Sequence, residues 1–285
     1  MKGFYFQLRL ILLMFFLMAS AEMVHAGNEG NYAGARAFSC GQVSGLFSDV
    51  WSVQNNPGAL GFLSRNAAAV AYENRYSAFS NLSFSLAGNQ GKWGCFGLAA
   101  SRFGPDFFNQ SRAGISWGKS FGIASLGLQG QWYQVSAKDL SSRHYFLLNF
   151  GGLAQLGEKL RFSGCISNLT QTRSSDYDRS VLPTQVKAGL SWQANSSLLL
   201  MAELQKDLDE TAGLNAGLEY RFAKAAYART GFSTASKSAG LGFGLRWREL
   251  QLDFGSGWHP ELGFSHCIGL QYFIGSSAEE TGKKP

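Results

Sequence analysis

The side chains in this chain that could perform chemistry are few and far apart. Three of the four histidines, His144, His259 and His266, lie beyond the first 26 residues. None belongs to an HExxH sequence, to the partner set of a GxSxG nucleophile or to a cluster with the spacing of metal ligands. His259 precedes Pro260 in a turn, and His266 falls on the apolar face of a strand, where structural roles are favoured over catalysis. We therefore predict a protein that is not an enzyme, with no cofactor and no metal.

Cysteine could also supply redox or metal chemistry, but the spacing does not support it. Cys40, Cys95, Cys165 and Cys267 are too far apart in the sequence for a CxxC motif. Buried small side chains are the favoured interpretation. A disulfide between two of them is the alternative in an oxidising compartment.

Charged residues recur singly on the polar face of segments in which every second side chain is apolar. In residues 240–247 one face carries Leu241, Phe243, Leu245 and Trp247, and the other carries three glycines and Arg246. Successive side chains of a strand point to opposite faces, so each run makes one apolar and one polar surface. A β-sandwich would bury the apolar faces against each other, whereas a transmembrane barrel turns them to lipid and keeps the polar faces inside.

These runs predict an all-β fold, a transmembrane antiparallel β-barrel of about 14 strands in residues 64–274. An even number suits a single-chain bacterial barrel, and twelve strands is the alternative. The composition agrees, with 35 Gly, 23 Phe, 10 Tyr and 7 Trp in 285 residues. The predicted strands lie at about 67–77, 79–87, 92–102, 110–119, 122–137, 142–156, 159–169, 184–193, 196–206, 212–221, 225–233, 238–248, 250–257 and 262–274.

Seven charged residues are predicted to point into the lumen of the barrel. They are Arg161, Lys187, Glu203, Glu219, Arg221, Arg246 and Asp253. An Arg or Lys that faces lipid at the midplane costs about 2 to 4 kcal/mol, so inward placement is strongly preferred. Two interpretations stay open: a salt-bridge network that fills the lumen, or a polar path that contacts a ligand.

Residues 1–26 are predicted to be a cleaved signal peptide. Lys2 and Arg9 supply a positive start, residues 10–21 an apolar core, and Val24-His25-Ala26 the cleavage position. Only helices and closed barrels satisfy backbone groups in lipid, and no later segment has the length of a membrane helix. We therefore predict the outer membrane of a Gram-negative cell. The formal net charge of +6 does not indicate nucleic-acid binding, because the charges cluster on no one element.

Residues 27–63 lack the alternation and are predicted to form a compact segment before the barrel. A short helix is predicted at residues 46–53, ending before a turn formed by Asn55, Asn56, Pro57 and Gly58. Residues 275–285 form a polar tail without periodicity, which predicts a flexible end.

Two parts of the chain resemble the FadL-like outer-membrane barrels, specifically the PorV/PorQ family. In the N-terminal part the resemblance is carried by Gly34-Ala35-Arg36-Ala37, then by Asp49, and then by residues 55–60. In the C-terminal third it is carried by residues 182–184, 189–190, 217–220, 229–232, 240–242, 252–254, 261–263 and 266, in the family's order. Together these motifs cover roughly residues 34–60 and 182–274.

The resemblance implies a 14-stranded barrel whose N-terminal segment, residues 27–63, folds into the lumen as a hatch. The hatch residues it singles out are Arg36, Asp49, Asn55, Asn56 and Pro57. We expect Arg36 and Asp49 to lie in the lumen and to pair with wall charges or with each other. Asn56 and Pro57 are expected to form the turn that fixes the hatch to the wall.

The resemblance also implies two functions. The expected one is a non-enzymatic component of type IX protein secretion or surface attachment, with secretion-system proteins or cargo domains as partners. The alternative is passive transport of a hydrophobic ligand through an apolar pocket between the hatch and inward aromatics such as Trp93 or Phe273. Membrane lipid is an expected partner in both cases and nucleic acid in neither. An enzyme acting through His144 or His259 is the least favoured alternative.

Overall fold

The computed structural model describes residues 32–138, 142–172, 182–208 and 210–275. The predicted signal peptide lies outside the described residues, as does the predicted tail after Gly275. Within the described ranges, no helix has the length and apolar character needed to cross a membrane.

Fourteen antiparallel strands form a closed barrel, which confirms the predicted fold class and rules out twelve strands. Each strand pairs with its neighbours in sequence, and β1 pairs with β14, with Ala71 opposite Gly269. The strands are β1 (Asn66–Arg75), β2 (Phe79–Asn89), β3 (Cys95–Phe103), β4 (Phe108–Phe121), β5 (Ala124–Ala137), β6 (Arg143–Gln155), β7 (Leu160–Ser167), β8 (Gln185–Gln193), β9 (Leu198–Asp207), β10 (Gly213–Ala223), β11 (Ala226–Ser233), β12 (Ser238–Trp247), β13 (Leu250–His259) and β14 (Gly263–Ile274).

The two ends of the barrel differ in their connections. Since the strand number is even, β1 begins and β14 ends at the same end, which we name the terminal end. The opposite end, named the loop end, holds the longest connection, between β7 and β8. The connections at the terminal end are short; that between β10 and β11 is only Lys224 and Ala225.

The outer face of the barrel is a continuous apolar surface. On β12, Leu241 is 65 % exposed, Phe243 62 % and Trp247 65 %, while Gly242 and Gly244 between them are buried. Soluble monomers rarely expose apolar patches larger than a few hundred Å². Strands of about ten residues also match the length that crosses a bilayer. The outward face therefore contacts acyl chains.

The described part of the N-terminal segment, residues 32–63, fills the lumen and forms the apolar core of the protein. We call it the hatch. It contains α1 (Ala35–Ser39), α2 (Ser52–Asn55) and a 3₁₀ helix (Pro57–Phe62). Its apolar side chains are buried against the inner wall, so the barrel encloses a plug and not a channel.

The helix predicted at residues 46–53 is wrong over most of its length, because the backbone just before it bonds to the wall and the Asp49 N–H bonds to a side chain. The backbone N–H groups of Ser44 and Gly45 donate to the carboxylate of Glu203 on β9. The N–H of Asp49 donates to Oγ of Ser52 at 3.2 Å. A helix begins only at Ser52.

Candidate functional site: the hatch and its charged seat

The first turn of the hatch lies against a glycine-lined part of the wall. Helix α1 packs on β11 to β14. At Gly217 on β10, a Cβ atom would lie 2.5 Å from the carbonyl oxygen of Cys40, and at Gly231 on β11 it would meet the backbone of Cys40 and Gly41. Glycine is required at these two positions because hatch backbone occupies the space of a side chain.

Beside this contact, between the hatch and the inner wall, lies a group of five charged residues. We name it the latch cluster: Arg36, Asp49, Glu219, Arg229 and Asp253. Arg36 donates from Nε and Nη2 to the two carboxylate oxygens of Glu219, at 2.8 and 2.7 Å. Its Nη1 lies 3.3 Å from Oδ2 of Asp49. Arg229 joins Glu219 to Asp253, with distances of 2.7 and 2.6 Å. The cluster therefore ties the hatch to β10, β11 and β13.

The three wall residues of the latch cluster are buried, and their side chains are well satisfied by hydrogen bonds. The side chain of Arg229 is 1 % exposed and that of Asp253 2 %. Asp253 also accepts hydrogen bonds from Gln251 at 2.9 Å and Gln271 at 3.0 Å. Burial alone would lower the pKa of Arg36, but Glu219 and Asp49 raise it above its ordinary value. Arg36 therefore stays charged at neutral pH.

Asp49 is the least favoured charge in the cluster. Three carboxylates face two guanidinium groups, and burial raises the pKa of Asp49 more than Arg36 lowers it. An acid whose pKa is raised by folding favours the folded state below its ordinary pKa, and this preference is lost as the pH rises through the raised value.

Asp49→Asn is therefore expected to raise the thermal stability of the folded protein at pH 8, because it removes a charge that folding disfavours. Asparagine can still accept the hydrogen bond from the Trp51 N–H, which is 3.0 Å long. Below pH 4, near the ordinary pKa of Asp, the wild-type side chain is protonated and the difference should vanish. The test is thermal unfolding of both proteins in neutral detergent at the two pH values; a variant less stable than wild type at pH 8 would contradict it.

A second group of wall charges holds the middle of the hatch. Glu203 on β9 is 1 % exposed and accepts from the Gly45 N–H at 2.7 Å. Lys187 on β8 is 5 % exposed and donates to Oγ of Ser44 at 3.0 Å. These two predicted lumen charges thus contact hatch backbone and a hatch hydroxyl.

The Asn-Asn-Pro sequence lies where the hatch crosses the lumen to β6. Asn55 bridges within the hatch, accepting from the Ala33 N–H at 2.7 Å. Asn56 accepts from the Gly58 N–H at 3.0 Å and donates to the carbonyl of Gly152 on β6 at 3.1 Å. Pro57 occupies the first position of the 3₁₀ helix, where its missing N–H is not needed. The Asn-Asn-Pro-Gly residues predicted to form a turn therefore lead directly into a 3₁₀ helix.

The other three predicted lumen charges lie near the terminal end. Arg161 is exposed on the lumen side of β7, and Arg221 is exposed and donates to the carbonyl of Ser196 at 2.7 Å. Arg246 is half-buried, with its guanidinium 4.5 Å from the ring centroid of Phe273. None of the ion pairs between described residues includes these three arginines, so they do not extend the latch cluster.

The sequence analysis missed Arg229, the central cation of the latch cluster. The strand has alanine, threonine and phenylalanine on one side and tyrosine, arginine and glycine on the other, so neither face is clearly apolar. The short turn after β10 was the available signal, because it pairs Arg229 with Glu219 across the hairpin. Residues directly opposite each other in a hairpin face the same side of the sheet, and Glu219 was predicted to face the lumen, so Arg229 would have been assigned to the lumen too.

All four cysteines are free and buried, so the disulfide alternative is not present. Burial raises the pKa of the Cys40 thiol to about 12. Since the thiolate is the reactive form, Cys40 in the folded protein is expected to resist iodoacetamide at pH 8. Full labelling of all four cysteines after unfolding in denaturant is the control. Rapid labelling of Cys40 in the native protein, located by peptide mapping, would show that the hatch is not seated as described.

The histidines and Trp93 lie away from the latch cluster. His144 stacks on Trp132 with ring centroids 5.6 Å apart. Nδ1 of His259 accepts two backbone N–H groups in the turn after β13. The expectation that Trp93 points inward is wrong: it is 67 % exposed in a 3₁₀ turn (Gly91–Trp93), because the chain turns there before β3 begins. Phe273 faces the lumen, but arginine side chains cover its ring.

Comparison with known proteins identifies the fold. Scans against protein-family models and curated proteins give no match. Among solved structures, the Pseudomonas putida toluene transporter TodX has a TM-score of 0.60 at 10% identity, covering 85% of this chain and 98% of that chain. The CymD monoaromatic hydrocarbon channel has a TM-score of 0.59 at 11% identity, covering 88% and 100%. A TodX deltaS2 mutant has a TM-score of 0.61 at 10% identity, covering 87% and 99%.

At such low identity, these similarities show the fold alone. The neighbours are FadL-like channels, so the fold agrees with the FadL-like part of the predicted resemblance. The PorV/PorQ branch stays a prediction. The role in type IX secretion also stays a prediction, and nothing in the comparisons supports it. The chain therefore has the barrel fold that TodX and CymD share, with its lumen closed by the hatch.

Proposed function

We propose that the protein is a passive transporter of hydrophobic small molecules across the outer membrane. The observation that carries the proposal is that the lumen is closed by a separate N-terminal segment inside a barrel with the fold of TodX and CymD, which are described as a toluene transporter and a monoaromatic hydrocarbon channel. The hatch is joined to the wall only through the start of β1, so it can move while the strands stay paired. Side chains that belong to the strands could not clear the lumen in this way.

Transport requires the hatch to move. The hatch core is tightly packed, and the predicted apolar pocket between the hatch and Trp93 is not present because Trp93 points away. The polar contacts that would have to break include the latch cluster, the bonds to Glu203, and the bonds that β4 and β5 side chains donate to the carbonyl groups of Val53 and Gly58. Arg36 is the hatch side chain with the most contacts in the cluster, and its guanidinium also lies 4.0 Å from the ring centroid of Phe47. The path therefore depends on a conformational change that these charges oppose.

The experiment is uptake by intact Gram-negative cells that produce the protein in their outer membrane. Labelled toluene and a labelled long-chain fatty acid serve as probes, with a hydrophilic sugar of similar mass as the control. Cells with the protein should accumulate at least one hydrophobic probe faster than cells without it, while sugar uptake stays unchanged. Equal uptake of both hydrophobic probes with and without the protein would refute the proposal.

A further inference from the structure

A chain of side-chain amides joins the hatch to the connection between β7 and β8. It begins at the carbonyl oxygen of Val53 in α2, which accepts from Nε2 of Gln129 on β5 at 2.6 Å. Oε1 of Gln129 accepts from Nδ2 of Asn149 on β6 at 2.6 Å. Oδ1 of Asn149 accepts from the backbone N–H of Asn168 at 2.8 Å. We name Gln129, Asn149 and Asn168 the amide relay.

The amide relay is buried, and its hydrogen bonds all run in one direction. Its two ends are backbone groups of fixed character: the Val53 carbonyl can only accept, and the Asn168 N–H can only donate. Turning over either side-chain amide would place two donors or two acceptors against each other. Both amides therefore have one allowed orientation, and successive hydrogen bonds of the same direction strengthen one another.

The hatch end of the relay satisfies a carbonyl group that α2 cannot satisfy by itself. The helix has only four residues, Ser52–Asn55, so its last carbonyl groups have no partners inside it. The Val53 carbonyl receives the Gln129 amide and also Oγ of Ser116 on β4, at 2.8 Å. The position of α2 in the lumen therefore depends on where Gln129 is held, and Asn149 holds it.

The other end of the relay holds the base of the longest connection. Nδ2 of Asn168 donates to the Leu182 carbonyl at 2.8 Å, and its Oδ1 accepts from the Thr172 N–H at 3.0 Å. Oγ1 of Thr184 donates to the Asn168 carbonyl at 3.1 Å. Asn168 thus joins the outgoing and returning parts of the connection. Its φ of +55° is a conformation that asparagine adopts more readily than most residues.

We propose that Asn149 and Asn168 are positioning residues for the hatch, and that they couple the base of the β7–β8 connection to the position of α2. When the base is displaced, the Asn168 N–H leaves Asn149, Gln129 is no longer fixed, and the Val53 carbonyl loses a donor. This deepens the proposed transport function and rests on it, because it identifies a part of the wall that controls the hatch. The latch cluster holds the other end of the hatch.

Two native cysteines report on the two ends of the hatch separately. Sγ of Cys165 on β7 lies 3.8 Å from the carbonyl oxygen of Asn55 in α2. Cys40 belongs to the hatch and lies against Gly217 on β10. Both thiols are buried, so iodoacetamide reaches each of them only when its own part of the hatch moves.

The test is a double-variant cycle, read as the labelling rate of Cys165 in folded protein in neutral detergent at pH 8. Asn149→Leu leaves the Gln129 acceptor and the Asn168 donor buried without a partner. It should raise the rate about tenfold, which corresponds to about 1.4 kcal/mol. Asn168→Gly tolerates the positive φ but lacks the amide that holds the base, so it should also raise the rate. In the double variant the two effects should not add, because both act through one chain of hydrogen bonds.

Controls separate loss of the relay from general loosening of the protein. Cys40 should stay as protected in each variant as in wild type. Asn81→Leu, the same substitution at a wall residue of β2 outside the relay, is the matched control and should leave both rates unchanged. Gln129→Leu interrupts the relay one step nearer the hatch and serves as the second variant if Asn149→Leu does not fold. Heat-modifiable migration in gel electrophoresis establishes folding.

Three results would each overturn the proposal: wild-type labelling of Cys165 when the relay is interrupted in folded protein, effects that add fully in the double variant, or release of Cys40 to the same degree as Cys165. The uptake assay is separate. Its failure, with the labelling effects present and not additive, removes the transport function and leaves the coupling standing.

Discussion

Replacing Arg229 with glutamine is expected to unseat the hatch while leaving the barrel closed. Arg229 donates to both Glu219 and Asp253, and its side chain is 1 % exposed. Removing one partner of a buried ion pair costs about 3 to 5 kcal/mol, because the remaining charge is left buried without compensation. Here Asp253 loses its guanidinium partner in the latch cluster, and Glu219 keeps only Arg36. The strands keep their own backbone hydrogen bonds, so the cost falls on the charged cluster that holds the hatch residue Arg36.

Labelling of Cys40 measures this effect, because the thiol is buried between the hatch and β10. A loss of about 3 kcal/mol corresponds to roughly a 100-fold larger open population. Iodoacetamide should then label Cys40 of the folded Arg229→Gln protein about 100-fold faster, and uptake of a hydrophobic probe should rise. Arg221→Gln is the control, since Arg221 is exposed and lies outside the latch cluster. Folded Arg229→Gln protein with Cys40 as protected as in wild type would show that the cluster does not hold the hatch.

Locking the hatch to the wall with a disulfide is expected to abolish uptake. A Cβ atom on Gly269 of β14 would lie 3.5 Å from Cβ of Ala35 in α1, within the range that a disulfide spans. The double variant Ala35→Cys/Gly269→Cys should therefore form a bond in oxidising conditions. Because the proposed transport requires the hatch to move, the oxidised protein should take up no hydrophobic probe, and a reductant should restore uptake.

Controls for this lock separate the bond from the substitutions. Each single cysteine variant should transport at the wild-type rate under both redox conditions. Mass spectrometry of the digested protein verifies that residues 35 and 269 are joined and that the four buried native cysteines are not. Uptake by the verified, fully oxidised double variant at the wild-type rate would mean that the probe passes without movement of α1, and the hatch would not be the gate.

The two expected results test different steps. The Arg229 variant asks whether buried charge keeps the hatch seated, and the disulfide asks whether a seated hatch blocks passage. A protein in which Arg229→Gln frees Cys40 but the disulfide leaves uptake unchanged would have a mobile plug without a transport role. Such an outcome would remove support for the proposed transporter and leave the description of the latch cluster intact.

Much of the barrel could be predicted from single side chains. On β12, alternation of Leu241, Phe243 and Leu245 with glycine predicts the outward face, and the structure leaves those three side chains exposed. The inward glycines did not by themselves indicate what occupies the lumen. At Gly217 the reason is the backbone of Cys40, which is separated from it by more than 170 positions in sequence.

The hatch was harder to predict because its local pattern carries little information. Leu46, Phe47, Val50 and Trp51 recur at the spacing of an apolar helix face, which predicts a helix, yet the structure begins one only at Ser52. The backbone N–H groups of Ser44 and Gly45, just before this segment, donate to Glu203 on β9, which no local pattern can show. Trp93 was misplaced for a related reason, since a turn of a few residues before β3 reverses the direction in which its side chain points.

The amino-acid order by itself determined most of the strands and the face that each turns to lipid, because the two-residue period of a strand is a local property of the backbone. Only the tertiary structure decided which charges meet. Arg36 and Glu219 are 183 positions apart, and their bidentate contact exists because the hatch returns into a lumen that β10 helps to enclose. Ion pairing depends on distance in space, and that distance is set only when the sheet closes around the segment that precedes it.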